Sequence, residues 1–327
     1  MIDEETALAH QQAVGALEEA AKKRSSAALK DHLAEVGRNA SADWVRMFGD
    51  LDQPSDDPAK LLRLIVDLRA GIKATPTSDL REAAEKALVD AIELGRVQAI
   101  EVIGHQVKTP ELKAPKQLVK DAVRLEAKVQ KKLDDGVDIL DKIAMSGEAS
   151  FDDVVGGLSK ASDGINTVDN TVSWLTNSGQ SAGVNAVTKV EGIGRVWVTE
   201  RDGCVDCLAY AGQVTDGDFP GGLTFGDFNP VSDLPDPPLH VNCRCTTEPW
   251  DMSAELDPDE VSYPEALQRE AERSVLKGWS VASESEAVRL KAADKLLKAG
   301  TDMPKSVQKA AERAVKKGEF ASTVPPV

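Results

Sequence analysis

From residue 1 to about residue 47 apolar side chains recur every three or four positions, the spacing of one helix face. This predicts an amphipathic helix, interrupted near Gly37–Ser41. The stretch DLDQPSDDPAK, residues 50–60, carries two prolines and reads as a turn-rich linker. KLLRLIVDLRAGI, residues 60–72, is apolar enough to require a packing partner. Asp79, followed three residues later by Glu82, suits the start of a helix that runs through Leu88 and Ile92 to Ile103. KTPELKAPK, residues 108–116, ends it. Next comes the longest periodic run, 117–146, with Leu118, Ala122, Leu125, Val129, Leu133, Val137, Leu140 and Ile143 along one face. One helix of that length would extend roughly 45 Å. It is either a bundle helix or a coiled coil between copies.

After Gly147 glutamate and lysine thin out, and Gly, Ser, Asn and Val take their place. A helix is expected from about 162 to 190. GRVWVT, residues 194–199, alternates and is rich in β-branched residues, so it predicts a strand. Residues 211–239 lack periodicity but hold Phe219, Phe225 and Phe228, which need burial; this is an ordered loop. CRCTTEPW reads as a returning strand ending at Trp250. In the tail, PEALQREAERSVLKG (264–278) aligns with PKSVQKAAERAVKKG (304–318), identical at eight of fifteen positions, and AADKLLKAG (292–300) is a looser third copy. Each predicts a short helix closed by glycine. The copies form either a cap on the main domain or a separate docking module. The fold class is therefore mainly α with a small α+β domain. Three parts are expected: a helical body (1–150), a cysteine-bearing α+β domain with an antiparallel strand pair (151–250), and a helical tail (251–327).

Composition supports helix, with only 4% aromatic residues. A formal net charge of −16 argues against a nucleic-acid coat, although a local basic patch is compatible with it. The acidic start MIDEETALAH does not resemble a signal peptide, and no apolar run is long enough to span a membrane. A reducing cytosol is the expected place of synthesis, where clustered cysteines favour metal or redox chemistry over a disulfide scaffold.

All four cysteines fall between residues 204 and 245. Cys204-x-x-Cys207 sits on a turn, and Cys243-x-Cys245 on the returning strand would point both thiols to one face. His240 precedes the second pair by three residues. Two such pairs meeting in space make a closed tetrahedral site for structural zinc. The ligands would be Cys204, Cys207, Cys243 and Cys245, with His240 the alternate to one of the last two. Disulfides and metal-free core thiols are the competing readings. Thioredoxin-like chemistry needs a βαβ setting that the flanks lack. Residues 197–250 carry nine acidic residues against Arg201 and Arg244, the reverse of a nucleic-acid-gripping zinc ribbon.

Trp197, Asp202, Cys204, Cys207, Leu208 and Gly212, then Phe219 or Phe225, then Pro237, Pro238, His240, Cys243, Arg244 and Cys245, follow one another in an order that resembles the Mu F-like head morphogenesis proteins of tailed bacteriophages. The resemblance covers about residues 160–250. It departs at Tyr210-Ala211, where the family carries a more polar pair, and at Val241-Asn242, where it carries Pro-Asn. The resemblance implies a minor head protein, located in the virion at the head interior or portal vertex and made in the host cytoplasm. Its partners would be the portal protein or the major capsid protein, with multiple copies per particle. The implied role lies in head assembly, DNA packaging or ejection. No sequence-specific nucleic acid and no membrane are expected as partners.

Enzymatic function is not expected. Of four histidines only His240 lies in a motif, and there is no Ser-His-Asp order, phosphate loop or H-E-x-x-H. The EGIGR stretch at 191–195 lacks the strand and helix that a phosphate site requires. Asp202, Asp206, Asp216 and Asp218 read as caps and turns before they read as a cation site. The remaining alternatives are a zinc-clasped interaction module without a virion role, and a metal-dependent hydrolase using an open position at the cysteines.

Overall fold

The computed structural model describes residues 2–105, 107, 113–226, 236–240, 243–253, 261–281 and 284–321. The chain is mainly helical with one small sheet. In order it forms α1 (Glu4–Phe48), α2 (Pro58–Lys73), α3 (Leu80–Ile103), α4 (Lys116–Val123), α5 (Leu125–Ser146), α6 (Phe151–Glu191), β1 (Gly194–Val198), α7 (Val205–Tyr210), β2 (Val214–Thr215), β3 (Thr246–Trp250), α8 (Tyr263–Lys277), α9 (Glu286–Lys298) and α10 (Lys305–Lys317). No described helix is long and apolar enough to cross a membrane.

Three elements differ from the sequence pattern. α1 runs unbroken through Gly37–Ser41. Gly37 lies against Leu158, where an added Cβ would come within 2.9 Å of the Leu158 side chain, so it marks a tight contact and not a break. The run 117–146 is interrupted at Arg124, which separates α4 from α5, although Arg124 keeps helical dihedrals. α6 begins eleven residues before the expected start. Its Gly, Ser and Asn content disguised it, because those residues are poor helix formers in isolation.

The packing divides the chain into two compact units whose boundaries fall inside α1, α3 and α6, and differ from the three sequence-based parts. One comprises residues 18–88 and 116–175; the other comprises 1–17, 89–115 and 176–327. In the first, α2 buries Leu61, Leu64, Ile65, Leu68 and Ile72, and α5 buries Leu125, Val129, Leu133, Val137 and Leu140. The α5 stripe therefore packs as a bundle helix. Trp44 stacks on Phe48 and Phe151. Ser55 and Ala149 tie two loops by reciprocal hydrogen bonds of 2.8 and 2.9 Å. The Arg69 guanidinium lies 2.8 Å from Asp141.

In the second unit α3 and α6 touch backbone to backbone. A Cβ on Gly95 would fall 2.0 Å from the Gln180 carbonyl, and one on Gly183 would fall 2.1 Å from that of Ile92. The sheet order is β2-β1-β3, antiparallel throughout, with Val196 opposite Val214 and Glu248. Pro249 is tolerated because β3 is an edge strand. The period-2 alternation of β1 sorts its side chains by face. Val196 and Val198 join Ile2, Ala7 and Trp250. Trp197 joins the cysteines.

The tail helices α8, α9 and α10 share one apolar cluster with Val205 and Leu208 of α7, so the repeats cap the cysteine region. Gly278, Gly300 and Gly318 close the three copies at φ of 74°, 73° and 76°, the left-handed conformation that favours glycine.

Candidate metal centre

The turn after β1 ends at Cys204, whose extended backbone and Sγ, 3.5 Å from the Cys207 amide, cap α7. One helical turn later Cys207 is buried. Cys243 and Cys245 come from the segment that enters β3, just ahead of the strand and not within it as expected; both are buried. His240 lies at the exposed rim.

The structure brings all five predicted residues together. The His240 Nε2 is 3.1 Å from Cys204 Sγ and 3.2 Å from Cys207 Sγ. Cys207 and Cys243 sulfurs are 3.4 Å apart, too far for a bond between them, and all four cysteines are free thiols. Their donor atoms form two triads that share Cys207: Cys204, Cys207 and His240, and Cys207, Cys243 and Cys245. Within each triad every donor lies within 4.8 Å of the others. Zinc–sulfur bonds of about 2.3 Å require donor separations of roughly 3.8 Å around a tetrahedron. The observed spacings need only small adjustments to enclose an ion, and a thiolate and imidazole donor set suits zinc. The cluster can hold a metal.

The thiol pKa values shift in opposite directions along the cluster. The Cys204 thiol is pulled down to about 5, first by its hydrogen bond with Cys207 and then by His240, against the opposing effect of burial. Cys243 is held well below the usual thiol range by hydrogen bonds from Cys207 and Cys245. Cys207 is pushed up by its hydrogen bonds with Cys204 and Cys243, and Cys245 is pushed up by burial.

The surroundings hold the thiols from beneath and from the sides. Trp197, Tyr210 and Phe219 form an aromatic floor: Trp197 meets Tyr210 at 4.7 Å and Phe219 edge-on at 5.0 Å between ring centroids. Arg244 reaches back to Glu200 at 2.7 Å and Asp202 at 2.6 Å, clamping the first cysteine turn to the second. The Gly212 amide donates to the Trp197 carbonyl at 2.9 Å. Phe225 packs on the tail-helix cluster; Phe228, Val241 and Asn242 lie outside the described residues. Asp206 and Asp218 serve locally: burial raises the pKa of Asp206, and the Asp218 carbonyl accepts from Thr215 Oγ1 at 3.2 Å.

Three groups escaped sequence reasoning. Arg195, buried in β1, lies 2.8 Å from Asp236, to which Asn185 also donates at 2.8 Å. This pair pins the far end of the loop, and burial pushes the Asp236 carboxyl up to about 6 despite Arg195. Glu284, ahead of α9, accepts from the Val205 amide at 3.3 Å and lines a cavity of about 290 Å³ with the cysteines. Burial, then the charge of Cys204, pushes Glu284 up to about 7. Third, His10 Nδ1 lies 3.0 Å from the fully buried Glu248, on the sheet face opposite Trp197. Only the alternation of β1 and β3 hinted at which residues would turn inward, and it named no partner.

No protein-family model, curated protein or solved structure matches the chain.

Proposed function

We propose that the chain is a structural minor head protein of a tailed bacteriophage, similar to the Mu F-like head morphogenesis proteins. In this reading it engages the portal or the capsid interior during head assembly and acts in DNA packaging or ejection. Residues 194–250 are the clasped domain, stabilised by one structural zinc ion. The ligands are Cys204, Cys207, Cys243 and Cys245, with His240 the alternate to one of the last two.

The observation that carries this reading is the convergence of the motif positions. Trp197, Phe219, Cys207, Cys243 and Cys245 share one buried cluster. Asp202 meets Arg244. Pro237 and Pro238 are buried three and two residues before His240. Residues far apart in sequence thus make one compact structure, as expected of a motif that specifies a domain. Bound zinc would hold the thiolates together and so supply folding free energy to a region with little periodic secondary structure. The helices around it provide contact surfaces, which supports assembly as the proposed role.

Quantitative mass spectrometry of purified phage particles from the source, before and after triggered DNA release, tests the role. A few to a few tens of copies per particle supports it, and loss on release marks ejected cargo. Absence from both samples rejects the virion role and leaves a zinc-clasped interaction module.

A further inference from the structure

The two closely matched tail repeats have diverged in charge. α8 carries Arg269, Arg273 and Lys277 against Glu265, Glu270 and Glu272, so it is neutral. α10 carries Lys305, Lys309, Arg313, Lys316 and Lys317 against Glu312 alone. The changes lie at aligned positions: Lys305 stands where α8 has Glu265, Ala310 where it has Glu270, and Lys316 where it has Leu276. Leu276 is buried, whereas Lys316 is exposed.

All five α10 cations are exposed, and none forms an ion pair among the described residues. At 100° per residue, Lys305, Lys316, Lys309 and Arg313 fall within a quarter-turn of one another, with Lys317 beside them. Val307, Ala311 and Ala314 occupy the opposite face and are buried. The stripe runs about 18 Å along the helix at 1.5 Å per residue. Its i, i+4 members repeat about every 6 Å, a spacing that lets successive side chains follow a phosphate backbone. The stripe exposes no large apolar or aromatic side chain. Protein interfaces draw their energy from such anchors, whereas phosphate contacts need only Lys and Arg.

We infer that the exposed face of α10 is a sequence-independent docking surface for the phosphate backbone of double-stranded nucleic acid. The local charge works against a net charge of −16, so binding is weak and strongly salt-dependent.

The test is fluorescence anisotropy of a short random-sequence DNA duplex titrated with the full chain at several salt concentrations. With about three phosphates engaged, log affinity should fall with log salt at a slope of about −2.7, roughly a 40-fold loss between about 50 and 200 mM. The Lys305→Glu/Lys309→Glu/Arg313→Glu variant should abolish binding while keeping its circular dichroism, because its buried face is untouched. Arg269→Glu/Lys277→Glu in α8 should change affinity less than about twofold. Single Lys309→Gln should reduce the slope by about 1. Three results would overturn the inference: no binding at low salt, equal losses from the α8 and α10 variants, or displacement of duplex by polyglutamate at equal charge. The last would assign the face to an acidic protein. None of these results bears on zinc content or on presence in the virion.

Discussion

The unit formed by residues 18–88 and 116–175 and the clasped region 194–250 are stabilised in opposite ways. The former buries a periodic apolar stripe on every helix, with Leu61, Leu64, Ile65, Leu133 and Leu140 almost wholly removed from water. Its stability is spread over many similar contacts, each replaceable at moderate cost. Among its described residues the clasped region has two five-residue strands, one two-residue strand and one six-residue helix. It is held by a few unlike groups: four thiols, one imidazole, an aromatic floor and the buried pair Arg195–Asp236. Distributed packing tolerates the loss of a member. A concentrated clasp does not, because each group it loses strands its partners.

Removing the proposed zinc should separate the two most strongly. Cys204→Ser, or chelation of the wild-type chain, should cost the clasped region several kcal/mol and abolish hydrogen-exchange protection in β1 and β3. Protection in 18–88 and 116–175 should persist. Simultaneous loss in both regions would show one cooperative body and remove the contrast.

The next effect concerns the buried His10–Glu248 pair beneath the same sheet. Burial opposes the charge on His10, but the hydrogen bond and charge of Glu248, aided by Glu101, outweigh it and raise the His10 pKa. The folded state therefore holds a proton that the unfolded state releases above its ordinary value of about 6.5. This stabilisation is complete below that value and is lost as pH rises through the raised one. Urea midpoints measured upward from pH 6 should fall with pH, and His10→Gln should flatten the dependence. His10→Ala should cost about 3 kcal/mol near pH 6, because Glu248 is left buried without its partner.

Leu140→Ala should cost a similar or slightly smaller amount, about 2–3 kcal/mol, confined to its own unit and without change in zinc content. Thermal melts paired with metal analysis would expose any spread into the clasp. Arg244→Ala should be the smallest effect, about 1 kcal/mol or less, because its side chain is 45% exposed to water. A larger loss would mean that the Asp202 and Glu200 contacts position the cysteines.

What was legible in the sequence follows the same division. Apolar period placed α2 and α3 within a few residues and ran α4 and α5 together as one helix, because their cores are built from the side chains that define the period. It missed only the first eleven residues of α6, where Gly157 serves a close helix contact and carries no hydrophobic signal. The five cluster residues were legible because few other chemistries use thiols so spaced. Arg195–Asp236, His10–Glu248 and Glu284 were not, since each joins ordinary charged residues brought together only by the fold. The charge divergence between α8 and α10 was present in the sequence; its meaning required knowing which face each helix buries.

Zinc analysis of the purified chain, prepared under reducing and metal-replete conditions, tests the concentrated clasp most directly. One zinc per chain, with the four cysteines unreactive to a thiol reagent until a chelator is added, is the result the account predicts. Metal content near zero with four freely reactive thiols would contradict it.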